Sequence, residues 1–400
     1  MYRTSSLPVR NISARPLRTV GLMAIIAVMA FSLVAGSMLT LSLENGADST
    51  EKRLGTDITL VPRGSGYAAE SVLIRGEPAA FYMDSSIVNS LSGIEGISQI
   101  TTQFYLATVS DSDCCDLRVQ VIGFDPGSDF TIMQWIEESN GGGINPGELV
   151  VGSGIHVAEG GQIKVFGTEY PVASKLSKSG TGLDTTIFMT LDTMKSTARD
   201  AGQRGYLLTP LERVDAEIST ILIKAKPGYD PGSIAEEIYS SGINVDVILS
   251  KTVISDLTQQ IGSIAGHVRV FEIMLWILAA VILGVLFSLG IRERKKEFET
   301  FRMMGATRMK LTYLVLGESS IISIAGALIG TALALLIIIP LSDGIGSALD
   351  LPYLAPSLSS VLALALISAA AAFIIGTLTA MWSARGIWRS EMYSESAEGN

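Results

Sequence analysis

Four stretches of the chain lose their polar positions almost completely. Thr19 to Leu43, Ile273 to Ile291, Ser319 to Leu341 and Leu351 to Ala384 carry no charged residue. Each reaches the roughly 18 apolar residues that cross a hydrocarbon core as a helix. With their flanks they predict spans at 19–43, 267–291, 311–341 and 358–384. The first run is longer than the core of a secretory signal, and its small-residue candidate 35-AGS-37 lies inside the run, so it predicts an uncleaved anchor.

Between the first two runs the pattern changes period. The segments 57-DITLVP-62, 97-ISQITTQFYLATVS-110, 117-LRVQVIGF-124, 148-ELVVG-152, 186-TIFMTL-191 and 219-STILIKA-225 are rich in β-branched residues and broken by Gly, Pro and Asp. These read as strands. Helical spacing appears at 232-GSIAEEIYSSG-242. The fold class is therefore a membrane protein of four transmembrane helices, with a large mixed α/β domain at 44–266 inserted between helices one and two. The Gly-rich 140-NGGGINPG-147 is either a boundary between two lobes or a surface loop.

Charge orients this layout. Arg3, Arg10, Arg15 and Arg18 precede the first span, and Arg385 and Arg389 follow the fourth. The stretch 292-RERKKEFETFRMMGATRMK-310 concentrates bases between the second and third spans, whereas the turn at 342–357 carries Asp343 and Asp350 and no base. Lys and Arg stay on the cytoplasmic side. The segments 1–18, 292–310 and 385–400 are thus expected inside, and 44–266 and 342–357 outside. Glu44 to Gly266 holds 29 Asp and Glu against 15 Lys and Arg, a net charge of −14. Such a surface disfavours nucleic acid. A composition 48% hydrophobic and only 17% charged fits a protein whose main neighbour is membrane lipid.

Candidate chemistry is sparse. No G-x-x-x-x-G-K-[ST] occurs, which excludes the P-loop route to ATP. His156 and His267 are the only histidines, and neither has a second ligand at metal spacing, so no metal site and no catalytic residue is expected. The glycines of 180-GTGLD-184 read as a turn, since no base closes a phosphate loop there. Cys114 and Cys115 are adjacent, which leaves a vicinal redox or metal-sensing pair, an intersubunit link, or two reduced loop thiols whose reactivity Asp111, Asp113 and Asp116 would lower. Within the third span Glu318 is either an intramembrane functional residue or lies in reach of headgroups or a loop Arg. Gly326 and Gly330 form a small-xxx-small pattern suited to subunit packing.

The basic stretch also has a helical design. Phe298, Phe301 and Met304 recur every three residues, which predicts a short amphipathic helix over Glu293 to Met304 with those three on its apolar side. Gly305 is placed to end it in a left-handed cap, and Thr307 to cap the next helix.

At this point the sequence resembles a known family. The run 301-FRMMGATRMKL-311 leading into an apolar helix with a Glu, the opening 11-NISARPLRTVGLMAIIAV-28, and the segments 55-GTDITLVPRG-64 and 148-ELVVGSGI-155 are similar to FtsX/MacB-type ABC transporter permeases with a MacB-like extracytoplasmic domain. The segments 180-GTGLDTTIFM-189 and GFDP at 123–126 are similar to its haem-exporter-like (HrtB-like) branch. The resemblance implies a non-catalytic subunit in the cell membrane, without a cofactor of its own, paired as a homodimer with a separate ABC ATPase that consumes the ATP. An extracytoplasmic adaptor is a further partner the family allows. It implies that Glu297, Phe298, Phe301, Arg302, Met304, Gly305, Ala306, Thr307 and Arg308 form the ATPase-coupling elbow. Two functions follow from it: mechanically driven export or extraction of a hydrophobic or amphipathic substrate, or an FtsX-like relay that activates an outer partner without moving a substrate.

Overall fold

The computed structural model describes residues 16–108, 114–115, 118–140, 142–157, 160–207, 213–349 and 351–397. In chain order, helix α1 (Pro16–Leu54) leads into strand β1 (Ile58–Pro62), α2 (Gly66–Arg75), the short β2 (Met83–Asp84) and α3 (Ile87–Leu91), then β3 (Ile97–Ala107) and β4 (Gln120–Phe124). Next come α4 (Ile132–Asn140), β5 (Leu149–Val151), β6 (Gln162–Val165), β7 (Thr168–Lys175), a tight helical turn at Gly182–Thr185, and β8 (Thr186–Thr190). The chain continues through α5 (Leu191–Arg204), β9 (Glu217–Ile218), β10 (Thr220–Ala225), α6 (Pro231–Ser240) and β11 (Val245–Leu249). Four more helices close it: α7 (Ser250–Glu293), α8 (Lys295–Met303), α9 (Arg308–Leu349) and α10 (Leu358–Ala397).

Two units divide the chain. One comprises Ser42–Ile261 with Asp343–Ala355, and the other holds the residues up to Leu41, Gly262–Ser342 and those from Pro356 onward. The second contains the membrane-crossing lengths of α1, α7, α9 and α10, all four long and apolar enough to span. These helices extend past the expected spans. α7 begins at Ser250, well before residue 267, and α9 continues past Pro340 to Leu349. Polar residues outside the hydrocarbon core continue a helix freely, so hydropathy marks the span and not the helix end.

In the helical unit α7 presents Ala279, Leu283, Phe287 and Ile291 to the core, one residue every four, while Phe271, Met274, Ile277, Leu278 and Val281 are exposed. That ridge packs with Leu22, Ile26 and Met29 of α1 and Leu311, Val315 and Ile322 of α9. Gly326 and Gly330 do not serve subunit packing: they bring α9 against α1 of the same chain. A Cβ at Gly330 would stand 2.1 Å from the carbonyl oxygen of Ala27, and one at Gly326 2.9 Å from that of Met23. Small residues let the two backbones approach, the same property that suits them to dimer interfaces.

The inserted unit is built on one nine-stranded sheet, ordered β11-β1-β10-β3-β4-β8-β5-β7-β6. Most pairs are antiparallel, and β4 runs parallel to β8 and β5 to β7. Alternation along each strand sends side chains to two buried faces. On β10, Ile221 and Ile223 join Ile58, Leu60, Ile234 and Ile238 under α6. On β3, Phe104 and Leu106 meet Met194, Ala198 and Ala201 of α5, whereas Tyr105 points to the opposite face with Val72 of α2 and Trp135 of α4. Because β4 precedes the Gly-rich stretch at 140–147 and its hydrogen-bonded neighbour β8 follows it, that stretch is a loop inside one domain. The two-lobed alternative is set aside.

The turn between α9 and α10 belongs to this sheet unit. Tyr353 N–H donates to the Gly180 carbonyl at 2.9 Å, and Leu354 N–H to that of Ser42 at 2.9 Å. The 180-GTGLD-184 turn is held from within by the buried Asp184 carboxylate, which accepts from Ser179 N at 2.8 Å and Gly180 N at 2.7 Å. The α9–α1 contact gives a direct test. Gly330→Val should destabilise the detergent-solubilised protein by about 1–3 kcal/mol through overpacking, whereas Gly284→Ala, with open space at its Cβ position, should leave the thermal midpoint unchanged or raised.

Candidate functional site

The candidate site is the elbow between α7 and α9. α7 stops at Glu293, and Arg294 turns the chain into α8, its N–H donating to the Ile291 carbonyl at 3.2 Å and its own carbonyl accepting from Phe298 N at 3.0 Å. The Arg294 side chain folds inward. Its Nη1 donates to Glu318 Oε2 at 2.7 Å, its Nε to Glu297 Oε2 at 3.0 Å, and the guanidinium lies 5.2 Å over the Phe298 ring. One cation thus ties α8 to α9. Of the alternatives for Glu318, the structure brings it to a loop Arg: the side chains of Arg294 and Glu318 are only 6% and 11% exposed. Arg294 was not singled out among the coupling residues. The signals were an Arg three residues before Glu297 and one lone carboxylate in an apolar helix.

α8 is amphipathic as predicted but shorter, running Lys295–Met303. Phe298 is buried and Phe301 packs beside it in the core of the helical unit. Met304 departs from the expected apolar side and is 69% exposed. The reason is geometric: at 3.6 residues per turn, six residues past Phe298 is well round the helix, and Met304 already lies beyond its last turn. Met303, Met309 and Tyr313 are exposed as well, and Arg302 is on the surface.

The helix ends as the sequence predicts. Gly305 adopts φ +88°, its N–H donates to the Arg302 carbonyl at 2.9 Å, and Ala306 N–H donates to that of Phe301 at 3.0 Å. This pair of bonds is the Schellman closure, with Ala306 packing into the same core as Phe301. Thr307 then opens α9: its carbonyl accepts from Leu311 N at 3.2 Å and its hydroxyl from Lys310 N at 3.4 Å. Arg308 begins α9, and its side chain lies outside the described residues.

Cys114 and Cys115 are far from this elbow in sequence and sit in the inserted unit. They are joined as a vicinal disulfide and buried in the core beside Val165 and Phe166, the paired arrangement among the three that the sequence left open. The Cys114 carbonyl accepts from Gly167 N at 2.6 Å. Asp111, Asp113 and Asp116 lie outside the described residues.

A multi-pass membrane protein with an α/β domain between its first two spans, and a capped, ion-paired elbow between its second and third, has the layout of a transport or signalling permease. Residues 269–391 match the family model described as FtsX-like permease C-terminal, and over that segment the chain is similar to the transmembrane components of ABC-type systems. That family is generally non-catalytic and works with an ATPase subunit. The match stops short of both segments that resemble the haem-exporter branch. None of the curated proteins compared with the chain matches it.

The ion pair predicts an asymmetric mutational response. Arg294→Ala leaves Glu318 buried without its partner and should cost about 3–5 kcal/mol. The double replacement Arg294→Met with Glu318→Leu removes both charges and should recover most of that loss, as read from thermal midpoints of the purified permease.

Proposed function

We propose that this permease pairs as a homodimer with a separate ABC ATPase and uses ATP-driven movement of its helices to export or extract a hydrophobic or amphipathic substrate. The observation that carries the reading is the two-sided construction of α8. Its inner side, with Arg294, Glu318, Phe298 and Phe301, is locked to the helical unit, while Met303, Met304 and Met309 stand exposed beside it. Methionine adapts to an apolar groove, and a helix locked on one side passes on a displacement applied to the other. The chain carries no phosphate-binding loop, so the energy must come from another chain.

In this reading both termini and the elbow are cytoplasmic, as the Lys and Arg placement requires. Cysteine introduced at Ser240 should then react with an impermeant maleimide on intact cells, and cysteine at Lys296 only after permeabilisation. The reverse pattern would invert the topology.

Coupling is tested in proteoliposomes holding the permease and its ATPase. Gly305→Val forces a branched side chain into left-handed backbone, and Met304→Asp places a charge on the exposed apolar side. Both variants should insert normally, and each should weaken ATPase docking or the stimulation of hydrolysis by at least about tenfold. Parent-like docking and stimulation in both would leave the elbow as a topological anchor. If stimulation depends on the elbow but no amphipathic dye leaves the bilayer, the relay reading replaces export.

A further inference from the structure

The helical unit holds a second carboxyl group, at the end of the α7 span opposite the elbow, that the coupling reading does not use. Thr19–Leu43 of α1, Ser319–Leu341 of α9 and Leu358–Ala384 of α10 carry no charged residue, whereas α7 brings in Glu272, one position before its own uncharged run. It faces α1. A Cβ built at Gly36 would collide with Glu272 Oε1 and stand 2.8 Å from Val268 Cγ1, so the bare glycine is a notch that admits the carboxyl group against the α1 backbone. There Oε1 is sealed from solvent and accepts no hydrogen bond among the described residues. Arg269, three residues earlier, adds its charge but is exposed and donates no bond to that oxygen.

A second polar atom repeats the pattern. Trp276 packs against the core of the helical unit, and its Nε1 is likewise buried without an acceptor among the described residues. Residues four apart share one side of a helix, about 6 Å along its axis. The seam between α1 and α7 thus offers an acidic acceptor and, one turn deeper in the span, a neutral donor. Ile273 and Ile277, which follow the two residues in sequence, are 54% and 61% exposed and border the seam with apolar surface.

A carboxylate withdrawn from water is stabilised by a cation, and a buried indole N–H by an oxygen acceptor. An ammonium suits Glu272 better than a metal ion, because one carboxylate in an apolar wall lacks the several oxygen ligands that a hard cation requires. We infer that this seam binds an amphiphile whose ammonium meets Glu272, whose carbonyl or phosphate oxygen accepts from Trp276, and whose chain lies along Ile273 and Ile277. A phospholipid with a primary ammonium and a free amphiphilic amine share that chemistry. Binding needs no ATPase, so the site stands or falls apart from the coupling and export readings.

The test uses the full-length permease purified in detergent, without an ATPase, and native mass spectrometry of the lipid it retains. Offered equal amounts of phosphatidylethanolamine and phosphatidylcholine with the same acyl chains, the parent should retain the ethanolamine lipid about tenfold more, since trimethylation removes every N–H that can donate to Glu272. The near-isosteric Glu272→Gln should bring the ratio close to one. Trp276→Phe should lower retention of the ethanolamine lipid about threefold, and Arg269→Gln, which alters exposed charge beside the site, should leave the preference in place. Glycine dodecyl ester, an amine with an ester oxygen and a single chain, separates the two sources: displacement of the lipid assigns the site to free amphiphilic amines, and persistence of the lipid assigns it to phospholipid. Equal retention of the two lipids by the parent overturns the ligand class. A parent-like preference in Glu272→Gln overturns the site, as does a preference lost in Arg269→Gln, which would reduce it to surface charge. Unchanged retention in Trp276→Phe overturns the assigned oxygen contact.

Discussion

A charge withdrawn from water must meet an opposite charge or pay several kcal/mol in desolvation, and the helical unit is organised around one such meeting. Glu318 stands in a helix that is otherwise apolar for many turns, so its carboxylate dictates where the preceding loop has to go. Arg294 answers it at 2.7 Å. Because Arg294 sits at the point where α7 gives way to α8, satisfying Glu318 also fixes the start of α8, turns Phe298 and Phe301 into the core and leaves the opposite side to solvent. The glycine closure at Gly305 then sets the angle at which α9 departs. Breaking the pair from one side would therefore lose more than an attraction: it would leave a buried charge at the point where α8 begins.

Close packing supplies the second constraint. Gly326 and Gly330 let α9 ride directly on the backbone of α1, and the ridge from Ala279 to Ile291 fills the space between them. A homodimer of this chain therefore has to use other surfaces. α7 offers one, with Phe271, Met274, Ile277 and Val281 exposed along its length.

How much of this was legible depended on how loudly each segment spoke. The four spans, the α/β character of the insert and the Gly305 cap follow from strong local signals: uncharged runs, β-branched clusters, and a glycine between two amphipathic patterns. β6 and β7 were missed because 162-QIKV-165 is short and 168-TEYPVASK-175 contains a proline and alternates with one side exposed. α5 was missed because its buried stripe consists of Thr193, Met194, Thr197, Ala198 and Ala201, small or polar residues that carry little hydrophobic contrast. At the elbow the sequence pointed to the residues flanking Arg294 and not to Arg294 itself, since the other half of its partnership lies in α9, twenty-four positions away. The burial of Cys114 and Cys115 was likewise unreadable, because acidic neighbours in sequence say nothing of the core that receives the pair.

The turn that joins α9 to α10 imposes an order on biosynthesis. Residues Ser42 to Ile261 leave the ribosome long before Tyr353 and Leu354 exist, yet the carbonyls of Gly180 and Ser42 find their backbone donors in those two residues. The sheet can therefore assemble early, but these two bonds stay unmade until the whole of α9 and the turn after it have been synthesised. Completion of the inserted unit thus reports that the third span has been made, and a chain truncated within α9 would present an unfinished domain for quality control to recognise.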